Sequence, residues 1–196
     1  MRVIAGEYGG RTLFAPPGVF TRPTADRARE ALFSILGGKV PDAKVLDIFA
    51  GSGAMAMEAI SRGAAGAVMI DSDAGAQAAI RRNIAALGLG ERASLLCLDY
   101  RKALASLKGR RFTLAFADPP YARLEYYAEV MELLWVYRLL TPGATLVLEH
   151  AKAADIRPDL AYELTDSRRY GDTILTILRY RGVEGSDEGV RDTGQF

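Results

Sequence analysis

The segment Asp118-Pro119-Pro120-Tyr121 carries the most specific chemistry in this sequence. A proline pair can simply end a strand, but a chemical reading accounts for all four residues together. The exocyclic amine of a nucleobase is a poor nucleophile, because its lone pair is delocalised into the ring. A carboxylate and a backbone carbonyl that both accept from this NH2 can hold the lone pair toward an incoming methyl group. Asp118 supplies the carboxylate. Pro119 stiffens the loop and fixes its carbonyl direction, and Pro120 extends the clamp. Tyr121 offers a flat face for the base to stack on, worth about 1–3 kcal/mol per base. The reaction would be an in-line displacement. Its rate would come from positioning and desolvation, with no covalent enzyme intermediate.

A glycine loop lies upstream. Gly51-Ser52-Gly53-Ala54-Met55-Ala56 fits a dinucleotide pattern, and Asp71 stands 20 positions after Gly51, where a ribose-binding acid is expected. An NAD-binding oxidoreductase is therefore one reading. Asp47 and Asp99 count against it, because carboxylates near a pyrophosphate repel it. A cofactor with a cationic sulfonium and no phosphate is attracted to such a rim, and S-adenosylmethionine is that cofactor. Asp71 is expected to accept from the ribose hydroxyls, Asp99 to reach the adenine amine, and Asp47 to sit near the methionine amino end. Phe49, Ala50, Gly51, Ser52, Gly53, Ser72 and Tyr100 complete the expected cofactor-binding set. Any one of these aspartates could be a helix N-cap. Four in succession, Asp47, Asp71, Asp99 and Asp118, each closing an apolar run, argue for a shared rim.

A parallel sheet would bring them together, since ligands of open α/β sheets bind beyond the carboxyl ends of the strands. Apolar runs predict strands over Lys44–Ile48, Ala67–Ile70, Ser94–Leu98, Thr113–Ala117 and Thr145–Glu149. Helical periodicity falls between them, over Met55–Arg62, Ala74–Leu87, Arg101–Leu107 and Glu125–Tyr137. This alternation predicts an α/β fold with helices on both faces. Tyr162–Arg168 and Ile174–Tyr180, joined at Tyr170-Gly171-Asp172, read as a closing antiparallel hairpin. Residues 1–39 read as an extension: a hairpin of Arg2–Ala5 with Arg11–Phe14, then a helix from about Thr24. Ala28, Ala31, Leu32 and Ile35 give that helix its apolar stripe. Residues 40–181 form the main domain, and 182–196 a flexible acidic tail.

Composition bounds the alternatives. The chain has 196 residues, 49% hydrophobic and 25% charged, which suits one globular domain with no membrane span. The N-terminus lacks the apolar core of a signal peptide, and the single cysteine suggests a reducing compartment, so a cytoplasmic location is expected. With one histidine and one cysteine, no metal site or histidine-based triad is expected. Cys97 reads as core packing, His150 as an ordinary rim hydrogen bond, and Trp135 and Tyr137 as helix packing. Glu149 stands near the rim but is not assigned to the site. Net charge is +3 over residues 1–39, +1 over 40–181 and −3 over 182–196. Arg11, Arg22, Arg27 and Arg29 are accordingly the candidates for phosphate contacts, with surface salt bridges as their alternative role.

Asp-Pro-Pro-Tyr after a Gly-x-Gly loop resembles the class I amino-methyltransferases that act on adenine N6 or guanine N2. The head narrows the choice. Arg2-Val3-Ile4-Ala5-Gly6, Gly10-Arg11-Thr12-Leu13 and Arg22-Pro23-Thr24-x-Asp26-Arg27-x-Arg29-Glu30 resemble the RsmD family of bacterial ribosomal RNA methyltransferases. The Asp47–Gly53 loop and Tyr170-Gly171-Asp172-Thr173 match as well. The resemblance implies a seven-stranded, Rossmann-like sheet, S-adenosylmethionine as cofactor and the N2 amine of a guanine in 16S ribosomal RNA as target. It also implies the small ribosomal subunit as partner. A monomer is the default oligomeric state. The alternatives are an adenine-N6 methyltransferase acting on DNA or another RNA, and a ribosome-assembly factor with a vestigial methyltransferase body.

Overall fold

Apolar runs too continuous for a half-solvated sheet become strands buried on both faces. The protein is described by a computed structural model that covers residues 1–18, 23–120, 123–152, 156 and 158–182. Its strands are β1 (Lys44–Ile48), β2 (Gly66–Ile70), β3 (Ala93–Leu96), β4 (Phe112–Ala117), β5 (Leu140–Ala151), β6 (Tyr162–Tyr170) and β7 (Thr173–Tyr180). Its helices are α1 (Pro23–Leu36), α2 (Ala54–Ser61), α3 (Ala74–Leu87), α4 (Tyr100–Ser106) and α5 (Glu125–Val136), with a 3-10 turn at Gly37–Lys39. The strands form one sheet in the order β3-β2-β1-β4-β5-β7-β6. The first five run parallel, and β7 is antiparallel to both β5 and β6. The expected α/β class, the seven strands and the antiparallel closing hairpin are all present.

The strand order reverses direction between β1 and β4, which places the topological switch point there. Two cores cover the sheet. On one face, α1, α2 and α3 pack Leu32, Phe33, Met57, Ile60 and Ile80 against Val45, Met69, Phe116 and Val147. On the other, α4 and α5 pack Leu104, Val130, Met131 and Leu134 against Leu46, Ile48, Val68 and Leu146. Among the described residues no helix is long and apolar enough to cross a membrane.

The head keeps the expected antiparallel pairing in a shorter, less regular form. Arg2 and Thr12 make an isolated bridge, flanked by backbone hydrogen bonds from the Val3 amide to the Arg11 carbonyl (2.9 Å) and from the Leu13 amide to the Met1 carbonyl (3.0 Å). Side chains of the body satisfy several of its other amides. Glu58 of α2, fully buried, accepts from the amides of Ile4 (2.6 Å) and Ala5 (3.1 Å). The hydroxyl of Ser61 accepts from the Tyr8 amide at 2.9 Å. Asn83 of α3 brackets Phe14, accepting from its amide at 2.7 Å and donating to its carbonyl at 2.9 Å.

Four side chains also differ from expectation. The buried stripe of α1 is Arg29, Leu32, Phe33 and Leu36, while Ile35 is 39% exposed. Cys97 lies past the end of β3 and is exposed; Arg81 Nη2 donates to its Sγ at 2.9 Å. Trp135 is 42% exposed near the end of α5, where the helix turns it away from the sheet. His150 lies inside β5 rather than at its end, because β5 runs on to Ala151. It is buried, with Nδ1 donating to the Ala151 carbonyl (3.0 Å) and Nε2 accepting from the Thr176 hydroxyl (2.8 Å).

Candidate active site

The loop from β1 to α2 turns on backbone conformations that L side chains rarely adopt. Phe49 takes φ 64°, Gly51 58° and Gly53 75°. At Gly53 the left-handed backbone favours glycine, and a Cβ there would also lie 2.7 Å from Met69 Sδ, so the thioether would have to shift. Strain of this kind gathers at functional loops. The loop is pinned to the next strand end, since the Ala50 amide donates to the Ile70 carbonyl at 3.0 Å. The carboxylate of Asp71 accepts from the Gly51 amide (2.8 Å) and the Asp73 amide (2.9 Å).

Beneath the loop, Asp47 is buried and accepts from the Ala56 amide at 3.1 Å. Burial pushes its carboxyl up to about 7, the nearby charge of Asp71 adds to this, and the Ala56 hydrogen bond opposes it. Asp99 caps α4, accepting from the Arg101 amide at 3.0 Å, and its other oxygen lies 3.6 Å from the Arg101 guanidinium at the rim.

These strand ends open onto a cleft of about 540 Å³ lined by Phe49, Asp71, Ser72, Asp73, Asp99, Tyr100, Asp118, Pro119, Pro120 and Tyr126. Four of these ten residues are aspartates and none is a lysine or arginine. A smaller cavity of about 60 Å³ adjoins it, lined by Asp47, Phe49, Ala50, Met55, Phe116, Ala117, Asp118, Val147, Glu149 and Leu175. Phe49 and Asp118 border both spaces. Asp118 is open on the cleft side and enclosed on the others. Its carboxyl is held well above the usual range, first by desolvation and then by the negative charges of Glu149 and Asp47.

An aromatic wall flanks the cleft. The Phe49 ring lies 4.9 Å from Tyr100 and stacks on Tyr126 at 6.0 Å. Glu129 of α5 fixes this wall, accepting from the Tyr100 hydroxyl and from Arg101 Nη2, both at 2.6 Å. Sequence reasoning missed Tyr126 and Glu129. Their one signal was position, in the helix that follows the Pro-Pro loop.

The structure therefore gathers Asp47, Phe49, Ala50, Asp71, Ser72, Asp99, Tyr100, Asp118, Pro119 and Pro120 around two adjoining spaces. Gly51 and Gly53 shape the loop beside them. Ser52 differs: its side chain is buried and its hydroxyl donates to Met1 Sδ at 3.2 Å, turned into the head. Tyr121 and Arg22 lie outside the described residues. Arg29 is not available to a phosphate. It is 7% exposed, it donates to the Arg2 carbonyl (2.5 Å) and Asp26 (3.0 Å), and it lies 4.0 Å from Glu58. Arg11 is exposed but donates to the Ala86 carbonyl in the last turn of α3 at 2.6 Å. Arg27 is exposed.

Residues 1–179 match the family described as conserved hypothetical protein 95. The chain is 34% identical over 186 residues to YlbH of Bacillus subtilis, a candidate rRNA methyltransferase, covering 93% of this chain and 100% of that one. It is 42% identical over 123 residues to ribosomal RNA small subunit methyltransferase D of Escherichia coli, covering 63% of this chain and 61% of that one. Among solved structures, the YhhF methyltransferase candidate of Escherichia coli superposes with a TM-score of 0.84 at 33% identity, covering 93% of this chain and 99% of that one. The sheet order, the site at its switch point and these matches agree: the chain belongs to the conserved hypothetical protein 95 family, the RsmD family.

Proposed function

We propose that this protein transfers a methyl group from S-adenosylmethionine to the N2 amine of a guanine in small-subunit ribosomal RNA. The observation that carries this reading is the place of Asp118 and its proline pair, on the border between an acidic cleft and a small acidic cavity. A cleft whose described lining holds four carboxylates and no cationic side chain suits a sulfonium cofactor and repels a pyrophosphate. The Gly51 amide is already committed to Asp71, so the glycine loop does not offer that group to a phosphate. S-adenosylmethionine supplies a methyl group on a positively charged sulfur.

The chain's own residues bind and orient. Asp71 and Asp99 keep acceptor capacity for the ribose and adenine groups of the cofactor. Asp118 accepts from the target amine and holds its lone pair toward the cleft, while Pro119 and Pro120 limit loop motion. Its raised carboxyl also suits it to take the proton that the amine loses. The ribosomal RNA assignment draws on the names of the bacterial relatives, and the amine chemistry on the Asp118 clamp. Exposed Arg27 and Arg11 remain available for phosphate contact, and an assembled small subunit would complete so small a basic surface.

The test uses small subunits that lack the modification. Incubation with labelled S-adenosylmethionine, followed by mass spectrometry of the digested nucleosides, should give N2-methylguanosine. N6-methyladenosine, or no incorporation, would overturn the reading.

A further inference from the structure

We infer that Glu149 selects guanine over other amine-bearing bases by accepting a hydrogen bond from the ring N1–H while Asp118 accepts from N2. This rests on the reading of the site as a guanine-amine methyltransferase and adds to it the residue that chooses the base. The geometry comes from strand register. Ala117 of β4 pairs with Leu148 of β5, so the next positions, Asp118 and Glu149, follow side by side at the carboxyl ends of two parallel strands. Both line the small cavity, whose remaining wall includes apolar Phe116, Val147 and Leu175. The tip of β5 is held rigidly: the buried Tyr127 hydroxyl donates to the Glu149 carbonyl at 2.9 Å, and β7 pairs Leu175 with Glu149.

When both are ionised, a form that two approaching N–H donors favour, the adjacent acids present acceptors only. Guanine carries two adjacent donors, N1–H and N2–H2, on its pairing edge. Adenine carries a donor beside a bare acceptor, its N1. An adenine edge set against this pair would aim a ring lone pair at an ionised carboxylate, whereas a guanine edge offers a donor to each acid. Rejection by an unmatched polar group is stronger than rejection by shape.

The experiment compares two acceptors that share the N2 amine and differ at N1. Small subunits are assembled from RNA ligated to carry either guanine or 2,6-diaminopurine at the methylated position. The wild-type protein should prefer guanine by about 100-fold or more in kcat/KM. Glu149→Gln, whose amide can donate to an unprotonated N1, should lower that preference at least about tenfold. Glu149→Ala should lose rate on guanine but not on diaminopurine. An unchanged preference ratio in the variants, including an equal loss on both acceptors, would overturn the inference and leave Glu149 a structural role. Wild-type methylation of guanine N2 in the same assay reports separately on the parent reading.

Discussion

The backbone amide of Gly51 donates to the carboxylate of Asp71 at 2.8 Å, tying the first glycine of the β1 loop to the acid that ends β2. Asp71 therefore shapes the loop as well as lining the cleft. Asp71→Ala should weaken S-adenosylmethionine binding about 10–100-fold, the equivalent of one or two charge-assisted hydrogen bonds. Asp71→Asn, which keeps an acceptor for Gly51, should lose less. Titration calorimetry with both variants checks the order.

In the proposed reaction Asp118 serves the amine rather than the cofactor. Asp118→Ala should lower methyl transfer by about 100-fold or more while cofactor affinity stays within a few-fold. Single-turnover methylation and calorimetry measure the two quantities separately. Equal loss of binding and turnover would place Asp118 among the cofactor contacts instead.

Asp47 makes stability depend on pH in the less common direction. Its folded carboxyl sits near 7 against 3.8 in the unfolded chain, so the folded state holds a proton that the unfolded state releases. Stability should fall as pH rises from about 4 to about 7 and then level off, by up to about 4 kcal/mol from this group. Asp47→Asn keeps the acceptor for the Ala56 amide and removes the charge. It should raise the melting temperature at pH 8 and change it little at pH 4. Thermal melts at the two values test the sign.

The head hangs on a buried carboxylate. Glu58→Ala would leave the Ile4 and Ala5 amides without their acceptor and the guanidinium of Arg29 without its neighbour, at a cost of about 3–5 kcal/mol. Gly6→Ala attacks the same contact from the other side. With φ 83°, its Cβ would fall 1.9 Å from the Ser61 carbonyl oxygen, a backbone atom that cannot swing aside. Both variants should speed hydrogen exchange at the head amides before those of β1 and β4.

The centre of the sheet was legible because β1, β2 and β4 are buried on both faces and read as nearly unbroken apolar runs; Lys44–Ile48 and Ala74–Leu87 fall where the pattern puts them. Much of the rim was legible too, since an aspartate after an apolar run needs only the parallel topology to reach the switch point. The docking of the head was not. The amides of Ile4, Ala5, Tyr8 and Phe14 are satisfied by Glu58, Ser61 and Asn83, more than fifty residues away, and no local periodicity reports that. The single charge in Ala54–Ser61, an otherwise apolar helix, was the available hint. Arg29 was misread for a related reason. A cation in a basic head suggests RNA, yet this one lies among the carbonyl of Arg2, Asp26 and Glu58. Cys97 was placed in a strand because its run is apolar through Leu98, but β3 stops at Leu96.

The placement of β7 between β5 and β6 sets an order on synthesis. As the chain emerges, β5 has one side against β4 and the other bare until Thr173–Tyr180 follows. The nascent protein thus carries an unpaired β5 edge from the completion of Ala151 until Thr173–Tyr180 is available, open to mispairing with a neighbouring chain. Pairing of β7 closes that edge and, through Leu175, seals the far wall of the cavity beside Asp118. Fragments truncated before Thr173 would leave both the β5 edge and the cavity beside Asp118 open.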